Sequence, residues 1–93
     1  MANLLVRVKI MPKEAETKPS QLVEDIKRLS PEVQIRSTQE EPIAFGLVAL
    51  IADFLTDDVA GAMEAVENSI RASSLVGEFE VLGASRISAS VKK

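Results

Sequence analysis

The chain has 93 residues, of which 46% are hydrophobic and 27% are charged, and its formal net charge is −3. These values predict one folded domain over residues 1–93 with a single small core, and they exclude a disordered chain. The sequence contains neither cysteine nor histidine. This excludes disulfide bonds and thiolate chemistry, and it removes the commonest general base and metal ligand.

The composition also argues against a membrane or a nucleic acid as the partner of this chain. The longest apolar run, residues 43–52, is far shorter than the roughly 20 residues that cross a bilayer. The chain opens directly in strand-like sequence without the pattern of a signal peptide, so we expect a cytoplasmic protein that does not enter membranes. The acidic balance and the absence of Trp and Tyr argue against direct nucleic-acid binding, which uses a basic face or stacking aromatics.

A strand and a helix are predicted first. Every second residue of the strand is apolar: Leu4, Val6, Val8 and Ile10. After a polar loop over residues 11–18, apolar residues recur at helical spacing: Leu22, Val23, Ile26 and Leu29. Pro19 lies in the first turn of this helix, where proline is tolerated. Pro31 ends the helix at Ser30, because the residue before a proline avoids the α region.

Two strands and a second helix follow. Residues 33–38 alternate as a strand, and residues 39–42 are predicted to be a polar break in which Glu40 and Glu41 form a solvated turn. Residues 45–55 are apolar on both faces apart from Asp53, which is typical of a central strand. Residues 56–58 are predicted to cap a helix. Its apolar face is formed by Val59, Met63, Val66 and Ile70.

The last predicted strand covers residues 78–91. Its first set of alternate residues includes Phe79, Val81 and Ile87, and its second set includes Glu78, Glu80 and Arg86. Gly83 interrupts the run and predicts a bulge or bend. The order β-α-β-β-α-β predicts an α+β, ferredoxin-like two-layer sandwich, with a four-stranded antiparallel sheet and two helices on one face.

The sheet face without helices is expected to be a protein-binding surface. Arg7, Lys9 and Arg86 are predicted to lie there beside apolar side chains of the third strand. A partly apolar face that no helix covers must either be polar or meet a partner.

Catalysis by this chain alone is not expected. No phosphate-binding loop is present, and the adjacent acidic residues of each pair, Glu40-Glu41 and Asp57-Asp58, point apart in extended chain. Residues 11–14 lack the Gly and Arg of an acyl-phosphate hydrolase loop. A binding function is favoured. A regulatory small-ligand-binding domain remains the main alternative, and an RNA-binding sheet and a small acyl-phosphate hydrolase are disfavoured ones.

Residues 40–50, with the sequence EEPIAFGLVAL, resemble the signature of archaeal elongation factor 1-beta. The opening VRVKIMP at residues 6–12 and the closing residues 81–87 are also similar to that family, so the resemblance covers nearly the whole chain. It implies the same ferredoxin-like fold. It also implies a guanine-nucleotide exchange factor that acts on the GTPase elongation factor 1-alpha, without cofactor, metal, nucleic acid or small-molecule substrate of its own.

The resemblance also implies site residues. Pro42, Phe45 and Gly46 match a loop with proline, an aromatic residue and glycine that precedes the third strand in eukaryotic relatives, and they are expected to bind the partner. Arg86 stands where those relatives have a lysine that reaches toward the magnesium site of the GTPase, so it is expected to be the residue that drives exchange. Residues 88–93 run past the usual end of the family and are predicted to be a tail.

Overall fold

The computed structural model describes residues 2–88 and has the predicted order of elements. They are β1 (Ala2–Pro12), α1 (Pro19–Leu29), β2 (Gln34–Pro42), β3 (Val48–Asp57), α2 (Ala62–Arg71) and β4 (Val76–Ser88). The strands form one antiparallel sheet in the order β2-β3-β1-β4. The ferredoxin-like sandwich is therefore confirmed. The predicted tail lies outside the described residues apart from Ser88.

The core lies between the two helices and one face of the sheet. Directly opposite residues of antiparallel strands point to the same face, and the pairs Val6↔Phe54 and Val8↔Ala52 place the apolar set of β1 against that of β3. The fully buried members of this core are Val6, Val8, Ile10, Leu22, Ile26, Ala52, Phe54 and Ile70. The alternation predicted for β1 is thus confirmed, and so is the helical spacing of α1 for Leu22, Val23 and Ile26, whereas Leu29 is exposed.

Helix α1 begins as its sequence predicts. Pro19 is its first residue, and the side-chain oxygen of Gln21 accepts a hydrogen bond of 2.7 Å from the backbone N–H of Lys18. That bond satisfies one of the donors left free at a helix start. Neither helix described within residues 2–88 combines the length and the apolar content needed to cross a bilayer.

The boundary between β2 and β3 differs from the prediction. β2 continues to Pro42, which pairs with Val48, so Glu40 and Glu41 are strand residues and not a turn. An edge strand exposed on both faces accommodates such polar residues, and charges there discourage pairing with another chain. Phe45 was predicted to begin β3, but the strand starts at Val48.

The start of α2 also differs. The N-cap is Gly61, whose φ of 84° is left-handed, and the helix begins at Ala62. Asp57 ends β3 and Asp58 lies in the connection, so the predicted cap at residues 56–58 is wrong. Pairing with β1 extends β3 past its predicted end, since Thr56 lies opposite Leu4 and Asp57 lies opposite Asn3. Val59 is excluded from the helix and is largely exposed.

A bulge in β4 confirms the interruption predicted at Gly83. Arg7 pairs with Gly83 while Val8 pairs with Val81, so Leu82 is the extra residue. One extra residue reverses the alternation beyond it. Before the bulge, Phe79 and Val81 pack against the core. Beyond the bulge, Arg86 lies on the face of the sheet that the helices cover, and Ile87 lies on the other face. The predicted phases therefore hold only for the first half of the strand.

Candidate functional site

Arg7 and Lys9, the two cations that β1 was predicted to place on the open face of the sheet, both lie next to carboxylates. Arg7 forms an ion pair with Asp53, and the ammonium nitrogen of Lys9 lies 3.6 Å from a carboxylate oxygen of Glu41. Arg86, which was predicted to lie on this face, is opposite Leu4 on the helix side. Of the three cations expected on the open face, Arg7 and Lys9 are thus neutralised by carboxylates, and Arg86 lies on the opposite face.

Asp53 is the centre of a hydrogen-bonded cluster on this face. Its residue exposure is only 7%. Arg7 donates from Nε to one carboxylate oxygen at 2.8 Å and from Nη2 to the other at 3.0 Å, and the hydroxyl of Ser37 donates at 2.9 Å. The hydrogen bonds from Arg7 lower the pKa of Asp53 most, and burial opposes them. The cluster joins three neighbouring strands.

Replacing Asp53 with asparagine is expected to lower the free energy of unfolding at pH 7 by about 1–2 kcal/mol, because bonds to a charged group are lost while Arg7 stays partly hydrated. The folded-state pKa lies below that of the unfolded chain. The contribution is therefore present above about pH 4 and is lost as the pH falls through the folded-state pKa. Urea unfolding at pH 7 and pH 3 measures this difference.

The control for that experiment is Asp57→Asn, which removes a carboxylate from the exposed end of the same strand. We expect it to retain wild-type stability at pH 7. If both variants lose the same stability at pH 7, the cluster around Asp53 contributes nothing specific.

A tight hairpin joins β2 to β3. The pair Pro42↔Val48 closes it. Within it, the N–H of Ile43 donates to the carbonyl of Leu47 at 2.7 Å, and the N–H of Leu47 donates to the carbonyl of Ala44 at 3.1 Å. Both bonds are internal to residues 43–47. The loop is therefore held in a defined shape at the end of the sheet.

Phe45 projects from the tip of this hairpin. Phe45 and Gly46 have φ values of 61° and 79°, so two successive residues adopt left-handed backbone. Glycine does so freely, whereas a bulky residue incurs about 1 kcal/mol. The side chain of Phe45 gains no burial in return, since the residue is 94% exposed. Phe45 is therefore the candidate contact residue of this hairpin.

Arg86 lies at the other end of the sheet. It is near the end of β4, and its Nε donates to a carboxylate oxygen of Asp58 in the connection between β3 and α2. The next residue of that connection, Val59, is 63% exposed. This end therefore presents a cation paired with a carboxylate, and the residue that follows this carboxylate in the chain is an exposed aliphatic one.

The candidate residues fall into two groups. Arg86 is opposite Leu4, which is opposite Thr56 near the end of β3. The hairpin with Pro42, Phe45 and Gly46 precedes the start of β3. Eight residue steps of strand separate Thr56 from Val48, which is about 26 Å at roughly 3.3 Å per residue. The two groups cannot meet at one point of a partner.

The sequence did not indicate that Asp58 and Val59 lie in the connection between β3 and α2, at the same end of the sheet as Arg86. It assigned Asp58 to a helix cap and Val59 to a buried helical stripe. The signal that argued otherwise was Gly61, which interrupts that stripe at the true start of the helix. Among residues 2–88, no group of three or more acidic, Cys or His side chains is placed to hold a metal ion.

The fold and these two ends define a small ferredoxin-like α+β domain whose candidate contact groups project from opposite ends of its sheet. Residues 5–87 match the family model of the EF-1 guanine nucleotide exchange domain. The chain belongs to this family, and its role is guanine-nucleotide exchange in translation elongation. The regulatory small-ligand domain considered above is not favoured.

Archaeal proteins named elongation factor 1-beta are similar over nearly their whole length. The one from Thermofilum pendens is 36% identical, over 95% of this chain and 99% of the relative. The one from Methanosarcina acetivorans is 38% identical, over 94% of this chain and 100% of the relative. The one from Desulfurococcus amylolyticus is 37% identical, over 95% of this chain and 100% of the relative. The resemblance identified from the sequence is thus confirmed.

Among solved structures, the C-terminal domain of the MgtC protein from Mycobacterium tuberculosis is similar with a TM-score of 0.49 and 20% identity, over 87% of this chain and 85% of that one. A likeness at this level carries no argument about function.

Proposed function

We propose that this protein promotes the replacement of GDP by GTP on elongation factor 1-alpha, the GTPase that carries aminoacyl-tRNA, in the cytoplasm. The observation that carries the proposal is the family match over residues 5–87, which spans both candidate ends of the sheet. The proposed partner is a protein. The proposal gives this chain no cofactor, metal, membrane, nucleic acid or small-molecule substrate of its own.

Exchange follows from competition between two ligands of the GTPase. The GTPase holds its nucleotide through phosphate contacts and a bridging Mg²⁺. A factor that binds the nucleotide-free GTPase more tightly than the loaded form must weaken nucleotide binding by the same ratio, since coupling between sites is reciprocal. The factor therefore needs one group that holds the GTPase and another that acts on the nucleotide site.

The two ends of the sheet suit these two tasks. Phe45 is solvent-exposed on a hairpin that its own hydrogen bonds hold in shape, so burying it on the partner requires little ordering. Pro42 closes that hairpin and Gly46 supplies the second left-handed residue. We assign this end to docking.

Arg86 is assigned to the nucleotide site. A guanidinium placed close to bound Mg²⁺ disfavours the metal electrostatically, and loss of the metal weakens the hold on the phosphates. About 26 Å of sheet between the two ends lets the domain dock at one place and act at another.

The test is stopped-flow release of fluorescently labelled GDP from the cognate elongation factor 1-alpha, chased with excess unlabelled GDP. Micromolar amounts of this protein are expected to accelerate release with saturation. The matched control is the double variant Phe45→Ala, Arg86→Ala, which leaves the core untouched because both side chains are exposed. A release rate that wild-type protein leaves unchanged contradicts the proposal.

A further inference from the structure

The contact between Asp58 and Arg86 joins two parts of the chain that are 28 residues apart. Asp58 follows β3, and Arg86 lies near the end of β4. The carboxylate side chain is 21% exposed and the arginine side chain is 72% exposed. Asp58, with the shorter and less exposed side chain, is therefore the fixed member of the pair. Arg86, with the longer and more exposed side chain, is the member that is restrained.

The geometry leaves the outer part of the guanidinium available. Arg86 uses Nε for Asp58, and among residues 2–88 its two Nη nitrogens make no further side-chain hydrogen bond. Those nitrogens are the part of an arginine that reaches a phosphate in a two-pronged contact. The pair thus holds the stem of the side chain and leaves its tip facing solvent.

Stability alone does not account for this pair. Exposed ion pairs contribute little to folding, since solvent screens the attraction and two side chains must be ordered. An arginine side chain has large rotational freedom. If the side chain is already ordered in the free protein, the loss of conformational entropy does not have to occur when it reaches the nucleotide site.

We propose that Asp58 is a positioning residue for exchange, which holds the Arg86 guanidinium in the orientation needed at the nucleotide site. This inference rests on the proposed function, and it adds to that function a residue that the sequence assigned to a helix cap. Asp58 acts through Arg86 and makes no contact with the nucleotide itself.

The neighbouring residue provides a matched control. Asp57 carries the same charge, is exposed, and forms no ion pair within residues 2–88. It pairs with Asn3 at the end of β3. Replacing it with asparagine changes the net charge of this end as Asp58→Asn does, without removing the partner of Arg86.

GDP release is measured over a range of concentrations for wild type, Asp58→Asn, Asp58→Glu and Asp57→Asn. We expect Asp58→Asn to lower the saturating rate about two- to fivefold, the size that an exposed ion pair supports, without changing the half-saturating concentration. Asp58→Glu should recover most of the rate, and Asp57→Asn should match wild type. Adding Asp58→Asn to Arg86→Ala should cause no further loss.

A second readout does not depend on exchange. In NMR spectra of the free protein, the Nε–H of Arg86 should be protected from solvent exchange in wild type and in Asp58→Glu, and should lose that protection in Asp58→Asn. Equal rates for Asp58→Asn and Asp57→Asn, a faster rate for Asp58→Asn, or a further loss in the double variant would overturn the proposal. If wild type itself does not accelerate release, the proposed function fails, and the positioning role fails with it.

Discussion

Replacing Arg86 with alanine is expected to lower the saturating rate of GDP release about 10- to 100-fold. The figure follows from the roughly 1.5–3 kcal/mol that a hydrogen bond to a charged group contributes, since each 1.4 kcal/mol is a factor of ten in rate. The half-saturating concentration should change little, because docking is assigned to the opposite end of the sheet. Stopped-flow titrations of labelled GDP release separate the two quantities.

Two controls identify what Arg86 supplies. Arg86→Lys keeps the positive charge but removes the planar guanidinium. A saturating rate near that of wild type means that the charge is what matters. A rate near that of Arg86→Ala means that the two-pronged contact is what matters. In excess EDTA the difference between wild type and Arg86→Ala should shrink, because the GTPase then has no Mg²⁺ to displace. A wild-type rate for Arg86→Ala would remove Arg86 from the mechanism while leaving the family assignment intact.

Replacing Phe45 with alanine is expected to raise the half-saturating concentration about 30-fold with little change in the saturating rate. A central aromatic contact of an interface typically contributes about 2 kcal/mol, which corresponds to that factor. Phe45 has the exposure and the rigid support that such a contact needs. The same titration, or calorimetry with nucleotide-free GTPase, measures the change in affinity.

Phe45→Gly separates docking from folding. Glycine adopts the left-handed φ of residue 45 without strain, and its greater freedom in the unfolded chain offsets that gain. The free energy of unfolding should therefore stay within about 1 kcal/mol of wild type, while docking weakens as much as in Phe45→Ala. Leu82→Ala, which trims an exposed apolar side chain at the β4 bulge, should leave docking unchanged. A Phe45→Gly variant that docks normally contradicts the role of the aromatic ring.

The order of the helices and strands and most of the core were predictable from local pattern. Val6, Val8 and Ile10 alternate in sequence because successive side chains of a strand face opposite ways, and Leu22 and Ile26 recur one helical turn apart because both face the sheet. The candidate residues of the hairpin and Arg86 were likewise identified from sequence, by resemblance to a family whose model matches residues 5–87.

What the sequence determined by itself was therefore the order of elements, most of the core-facing residues and the family. Only the tertiary structure decided on which side Arg86 lies and which residue restrains it. Leu82 reverses the faces of β4 because register depends on hydrogen bonds to β1, and the pairing Arg7↔Gly83 is invisible in the local pattern of β4. The contact between Asp58 and Arg86 likewise forms only when the ends of β3 and β4 come together in the sheet. Periodicity reports burial over a few residues, whereas register and ion pairing depend on segments that are distant in the chain.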